Sequence, residues 1–235
     1  MDIFFNQLKK IAKKESGNNL QTIEDIFYYC KNLIEEGNVK SGLQCCKDFK
    51  QLLGDFIHNE TNKVKSELDE YVFNVLVLES KYSFDSYFQA LEFNRPIQDQ
   101  FYMPRRNTLM KHGVIQALED LLINDTIDEL FLSMPPRVGK TTLAVFVVTW
   151  LIGFEDERTN LYCGNSGVSD PFYSEVYSIL TDDFTYNWQK IFKNTFFDKG
   201  SMCNAKQTCL DTGRRKRYHS FTARSIPRWF TRSVA

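Results

Sequence analysis

The stretch SMPPRVGKTT, residues 133–142, follows the apolar run Leu130, Phe131, Leu132 and precedes Leu143, Ala144, Val145, Phe146. Read outward from it, the chain predicts a strand at Glu129 to Ser133, a tight loop, and a helix from Gly139 to about Ile152. A loop that leaves a strand and enters a helix aims several backbone N–H groups inward, and the helix start adds partial positive charge. Such a loop grips phosphate. Gly139 lets the backbone approach, Lys140 meets the β- and γ-phosphates, and the Thr141 hydroxyl is the expected Mg²⁺ ligand. Met134 stands where the strict pattern has its first glycine. Pro135 and Pro136 offer another way to fix the turn, because proline presets its own φ. The opposing reading is a chance Gly-Lys-Thr at a strand-helix junction.

Downstream, a second strand is expected at Asn160 to Cys163, then a helix capped by Ser169 or Asp170 with Pro171 at its first position, where proline is welcome. Upstream, residues 107–124 read as one helix carrying Leu109, Val114, Ile115, Leu118, Leu121 and Leu122. Alternating strands and helices predict an α/β layer with a parallel sheet.

Residues 1 to about 95 read differently, as helices throughout. Phe4, Leu8 and Ile11 make one apolar stripe, with Lys9, Lys10, Lys13 and Lys14 on another face. Thr22 is the expected N-cap of a helix bearing Ile23, Ile26, Phe27, Cys30, Leu33 and Ile34, stopped by Gly37. Leu43, Cys46, Leu53, Phe56 and Ile57, then Val64, Leu68, Val72 and Val75, continue the spacing. Phe84, Phe88 and Leu91 mark a last short helix. Packing or partner binding is the role expected of this half.

The 235 residues allow one large domain or one domain with a helical extension, and 43% hydrophobic content is enough for a core. A formal net charge of −1 favours no partner as a whole. Between Ala205 and Ala235, however, eight basic residues face one acid, Asp211. The basic run at 214–217 reads as a solvated edge, with nucleic-acid contact as the alternative. Asp182 and Asp183 read as surface.

The six cysteines form no CxxC pair and only three histidines accompany them. That suits neither zinc nor a disulfide framework, so free thiols in a reducing cytoplasm are expected. The start MDIFFNQLKKIAKK lacks the pattern of a signal peptide. No window reaches the roughly 18 apolar residues of a membrane span.

Four blocks in order, FYMPRR, then DELFLSMPPRVGKTTLAVFVVTWLIG, then NLYCGNSGVSDPFYSEVYSIL and TYNWQKIF, resemble the large-subunit terminases of tailed bacteriophages. The resemblance covers roughly residues 90–226. It implies an ATP-driven motor that packages double-stranded viral DNA into a procapsid in the host cytoplasm. Its implied partners are the terminase small subunit, the portal and neighbouring copies in a ring, with no membrane.

The implied fold is a P-loop NTPase-type parallel sheet with helices, incomplete at the C-terminus and preceded by an all-helical region. The implied domains are 1–95 helical, 96–226 a partial ATPase domain and 227–235 an atypical tail. By the same resemblance the cofactors are ATP and Mg²⁺, held by Pro136, Arg137, Val138, Gly139, Lys140, Thr141 and Thr142. Thr141 is the metal ligand. Lys140 and Arg137 carry the catalytic charge, with Arg137 stabilising the transferring phosphoryl group. Tyr102, Pro104 and Arg105 match the upstream adenine-side motif, where a ring could stack on the base. An ordinary aromatic-proline turn is the competing reading.

The family also requires an acidic strand and a nuclease carboxylate cluster. The acids of VVTWLIGFEDE continue the helix after the loop and so have the wrong geometry. No acid follows Asp211. The expectation is therefore a chain cut short before the second acidic motif and the nuclease domain, with little or no turnover alone. The alternatives are another phosphate-loop protein, helicase-like or kinase-like, and a non-functional remnant.

Overall fold

A computed structural model describes residues 3–59, 64–154, 166–182, 184–192, 208–212 and 216–220. The chain divides into two units, Met1–Ala90 and Leu91–Ala235.

The first unit is helical. It contains α1 (Ile3–Lys14), α2 (Leu20–Glu35), α3 (Val39–Ile57), α4 (Lys65–Glu79) and most of α5 (Phe84–Leu91). Apolar residues at three- and four-residue spacing give each long helix one face to bury. Phe5, Leu8 and Ala12 of α1 meet Ile23, Ile26, Cys30 and Ile34 of α2, with Cys46, Phe49 and Leu53 of α3 and Leu68 and Val75 of α4 completing the core. The face of α1 is rotated from the expected one. Phe5 is buried, while Phe4 and Ile11 are 53% and 46% exposed. Asn19, not Thr22, caps α2, its side chain accepting from the Gln21 N–H at 3.1 Å. Thr22 lies one turn in, donating to Glu15 Oε2 at 3.1 Å. A charged group sits within this unit too: Lys50 pairs with the buried Glu79, which also accepts from Ser86 Oγ at 2.6 Å.

In the second unit two 3-10 turns, Ile97–Asp99 and Met103–Arg105, lead into α6 (Arg106–Lys111) and α7 (Val114–Leu122). The single helix expected over 107–124 is thus two. Gly113 breaks it with φ +69, a left-handed conformation that ends helical hydrogen bonding. After an extended segment come α8 (Lys140–Phe154), α9 (Ser166–Thr181) and α10 (Trp188–Ile191). Pro171 lies inside α9 rather than at its first position, because the helix begins at Ser166.

Among the described residues there is no parallel sheet. Residues 129–133 form no strand, and Phe131 and Leu132 are 87% and 40% exposed. A central parallel strand is covered on both faces, so its apolar side chains are buried. Among the described residues the apolar run has no strand beside it, and no backbone–backbone hydrogen bond engages residues 127–133. The two strands that are described, β1 (Thr208–Thr212) and β2 (Lys216–Ser220), pair antiparallel and only with each other, in the register Thr208 to Ser220. The second expected strand, 160–163, lies outside the described residues, as do Asp183, Arg214, Arg215 and the 227–235 tail. Among the described residues the fold is helical with one β-hairpin, not a parallel-sheet α/β layer. No helix among them is long and apolar enough to cross a membrane.

The interior of this unit is aromatic. Trp188 is buried and its indole N–H donates to the Thr149 carbonyl of α8 at 2.9 Å. Phe192 packs on Trp188 with ring centres 5.0 Å apart and meets Phe154 edge-on at 4.4 Å. These contacts anchor α8, and with it the loop at its start.

Candidate functional site

The loop before α8 turns through two left-handed residues on either side of Val138, Arg137 at φ +65 and Gly139 at φ +91. Reversals of backbone hand of this kind turn successive N–H groups toward one side and make an anion-binding concavity. Arginine in that region carries strain, which is uncommon outside functional turns. Gly139 is demanded twice over. Its φ disfavours any L side chain, and a Cβ there would overlap the Phe101 ring. The first helical bond of α8 runs from the Leu143 N–H to the Gly139 carbonyl at 2.9 Å. The N–H groups of Lys140, Thr141 and Thr142 therefore have no backbone acceptor among the described residues, as expected of a helix start.

Lys140 folds back over this turn, and its Nζ donates to the Met134 carbonyl at 3.0 Å. The ammonium is thus held above the loop by an oxygen of the loop itself. Pro136, Arg137, Lys140 and Thr141 are exposed, while Val138, Gly139 and Thr142 are half-buried. The expected phosphate-binding residues are brought together on one accessible turn.

The expected adenine-side residues are distributed differently. The Tyr102 ring is fully buried, at 0% exposure, and presents no face to solvent. Pro104 is exposed. Arg105 lies over the ring of Phe101, 4.8 Å from its centre, and donates from Nη1 to the Phe101 carbonyl at 2.9 Å. Phe101 is the ring that reaches the loop, pressed on Gly139 and edge-on to Phe146 of α8 at 5.5 Å. Sequence reading passed over it, although it opens the FYMPRR block.

It also passed over Glu92. This carboxylate is fully buried, yet Oε1 accepts from the Phe101 N–H at 2.9 Å and Oε2 from the Tyr102 N–H at 2.8 Å. Arg95 Nη1 donates to Oε1 at 2.9 Å and to the Tyr186 hydroxyl at 3.1 Å. Burial pushes the Glu92 carboxyl above the usual carboxylate range, and the two N–H groups and the Arg95 and Arg105 charges pull it back. An acid inside the apolar stretch QALEF, three residues before an arginine, was the available signal.

Asp182, an acid near the end of α9, is engaged locally. Its Oδ1 accepts from the Phe184 and Thr185 N–H groups at 3.1 Å each, and the Thr185 hydroxyl and N–H hold its carboxyl below the usual range. Among the described residues no group of three or more His, Cys, Asp or Glu side chains is gathered to hold a metal ion. The metal position expected at this loop rests on the Thr141 hydroxyl, with phosphate oxygens and water as the other ligands Mg²⁺ usually takes.

No protein-family model, no curated protein and no solved structure matches this chain.

Proposed function

We propose that the turn from Met134 to Thr142 binds the polyphosphate of ATP, and that the chain is the ATP-binding part of a phage terminase large subunit. In that role it would act in the host cytoplasm at the procapsid. Double-stranded viral DNA, the small subunit, the portal and neighbouring copies are its partners. The observation that carries the nucleotide reading is the pairing of two left-handed residues, Arg137 and Gly139, with a lysine bent onto the Met134 carbonyl. The carbonyl oxygen occupies the place that a phosphate oxygen would take, so nucleotide exchanges one oxygen partner of Nζ for a charged one. Charge-assisted hydrogen bonds are roughly twice as strong as neutral ones. The N–H groups of Lys140, Thr141 and Thr142 supply further donors, and Arg137 adds an exposed cation beside them.

Phosphate recognition of this kind uses the turn and the helix start. It does not need the strand expected ahead of them. Mg²⁺ would neutralise phosphate charge, and the hydroxyl of Thr141, at the second position of α8, would hold it. The packaging role rests on the order of the four terminase-like sequence blocks, and the phosphate turn sits in the second of them.

The test is binding of a fluorescent ATP analogue by the intact chain. Lys140→Ala should weaken it about tenfold or more, the loss expected when a charged hydrogen bond to phosphate goes. Thr141→Val should weaken binding more with Mg²⁺ present than without. Unchanged affinity in Lys140→Ala would remove the nucleotide reading.

A further inference from the structure

We propose that Glu92 is a positioning residue for the phosphate turn, acting through Phe101; this rests on the nucleotide reading above. Phe101 is gripped at both ends of its backbone. Its N–H is held by Glu92 at 2.9 Å and its carbonyl by Arg105 at 2.9 Å. With the backbone so held, the ring lies on the Cα of Gly139 and edge-on to Phe146. The ring therefore backs the left-handed residue that opens the proposed phosphate concavity.

A carboxylate suits this task because it offers an acceptor oxygen to each of two consecutive N–H groups, Phe101 and Tyr102. Glutamine has one acceptor, and its amide NH₂ would face an N–H donor. The remaining charge is balanced by Arg95, whose guanidinium stacks 5.0 Å from the centre of the Tyr186 ring. Tyr186 in turn meets Phe146 edge-on at 6.4 Å. The contacts close a circuit: Glu92 to Phe101, Phe101 to Phe146, Phe146 to Tyr186, Tyr186 to Arg95, and back to Glu92. Such a circuit resists displacement of any one member, which is the property a preformed anion site needs.

The experiment is a double-mutant cycle read in affinity for the fluorescent ATP analogue, with wild type, Glu92→Gln, Phe101→Ala and the double variant, and Lys140→Ala beside them. Glu92→Gln should weaken binding about fivefold, as for the loss of one hydrogen bond in a coupled network. The double variant should bind within twofold of Phe101→Ala alone. A Glu92→Gln protein with a lower unfolding midpoint and unchanged affinity overturns the proposal, and so does a Glu92→Gln effect that persists in the Phe101→Ala background. If Glu92→Gln does not fold, Phe101→Leu decides. It keeps the backbone bonds and removes the ring, so it must weaken binding at least threefold, and unchanged affinity overturns the proposal. Loss of binding in Lys140→Ala without loss in Glu92→Gln rejects the positioning role and leaves the nucleotide reading standing. No loss in Lys140→Ala rejects both.

Discussion

Gly139→Ala separates conformational from steric demands on the turn ahead of α8. An L residue held in the left-handed region costs about 1–2 kcal/mol, and φ +91 lies past the centre of that region. The new methyl group would also overlap the Phe101 ring, and overpacking of this kind costs about 1–3 kcal/mol more. The expected loss is therefore about 2–5 kcal/mol. Gly113→Ala supplies the control. Its φ is +69 and nothing lies within 4 Å of an added Cβ, so only the conformational part, about 1–2 kcal/mol, applies. Both variants can be measured by urea unfolding followed by circular dichroism, with hydrogen exchange at residues 140–146 reporting whether the turn has opened locally instead. Phe101→Ala should recover the steric part of the Gly139→Ala loss as a coupling of about 1–3 kcal/mol. If Gly139→Ala costs no more than Gly113→Ala and Phe101→Ala recovers nothing, the packing of Phe101 on the turn is wrong.

Two further outcomes follow from buried and capping groups. Asn19→Ala should cost about 1 kcal/mol through loss of the α2 cap, read as a lower thermal midpoint; an unchanged midpoint would remove Asn19 from that role. The Glu92 carboxyl, raised by burial, should make stability fall as pH rises from about 4.3, the ordinary glutamate value, through its folded value. In that window the unfolded chain has already lost the proton that the native chain must still give up. Urea midpoints across pH 4 to 7 should slope less in Glu92→Gln than in wild type, and parallel slopes would contradict the burial argument.

The helices of the first half were legible because their apolar spacing has a single interpretation. Ile23, Ile26, Cys30 and Ile34 can share a face only on a helix, and all four are buried. In α1 the same rule misplaced the face by one residue, since Phe4 and Phe5 are adjacent and either could start the stripe. Leu130, Phe131 and Leu132 misled for a deeper reason. A short apolar run states that a segment is compatible with a buried strand, but burial depends on a neighbour elsewhere in the chain. The turn ahead of α8 was readable from Gly139, because turn chemistry is local. The aromatic that backs it was not, because Phe101 meets Gly139 from 38 positions away in sequence, and Glu92 was hidden by the ordinary expectation that acids face solvent.

The buried thiols of the first unit have a practical consequence. Cys30, Cys45 and Cys46 form no disulfide and are shielded from solvent, and hydrogen bonding to Cys46, followed by burial, pushes the Cys30 thiol well above its ordinary acidity range. Alkylation proceeds through the exposed thiolate. Each of these sulfurs is therefore silent while the helices stay closed and becomes reactive only when α2 and α3 part. Labelling with a maleimide, followed peptide by peptide in a mass spectrometer, would clock the breathing of this helical unit with no engineered probe.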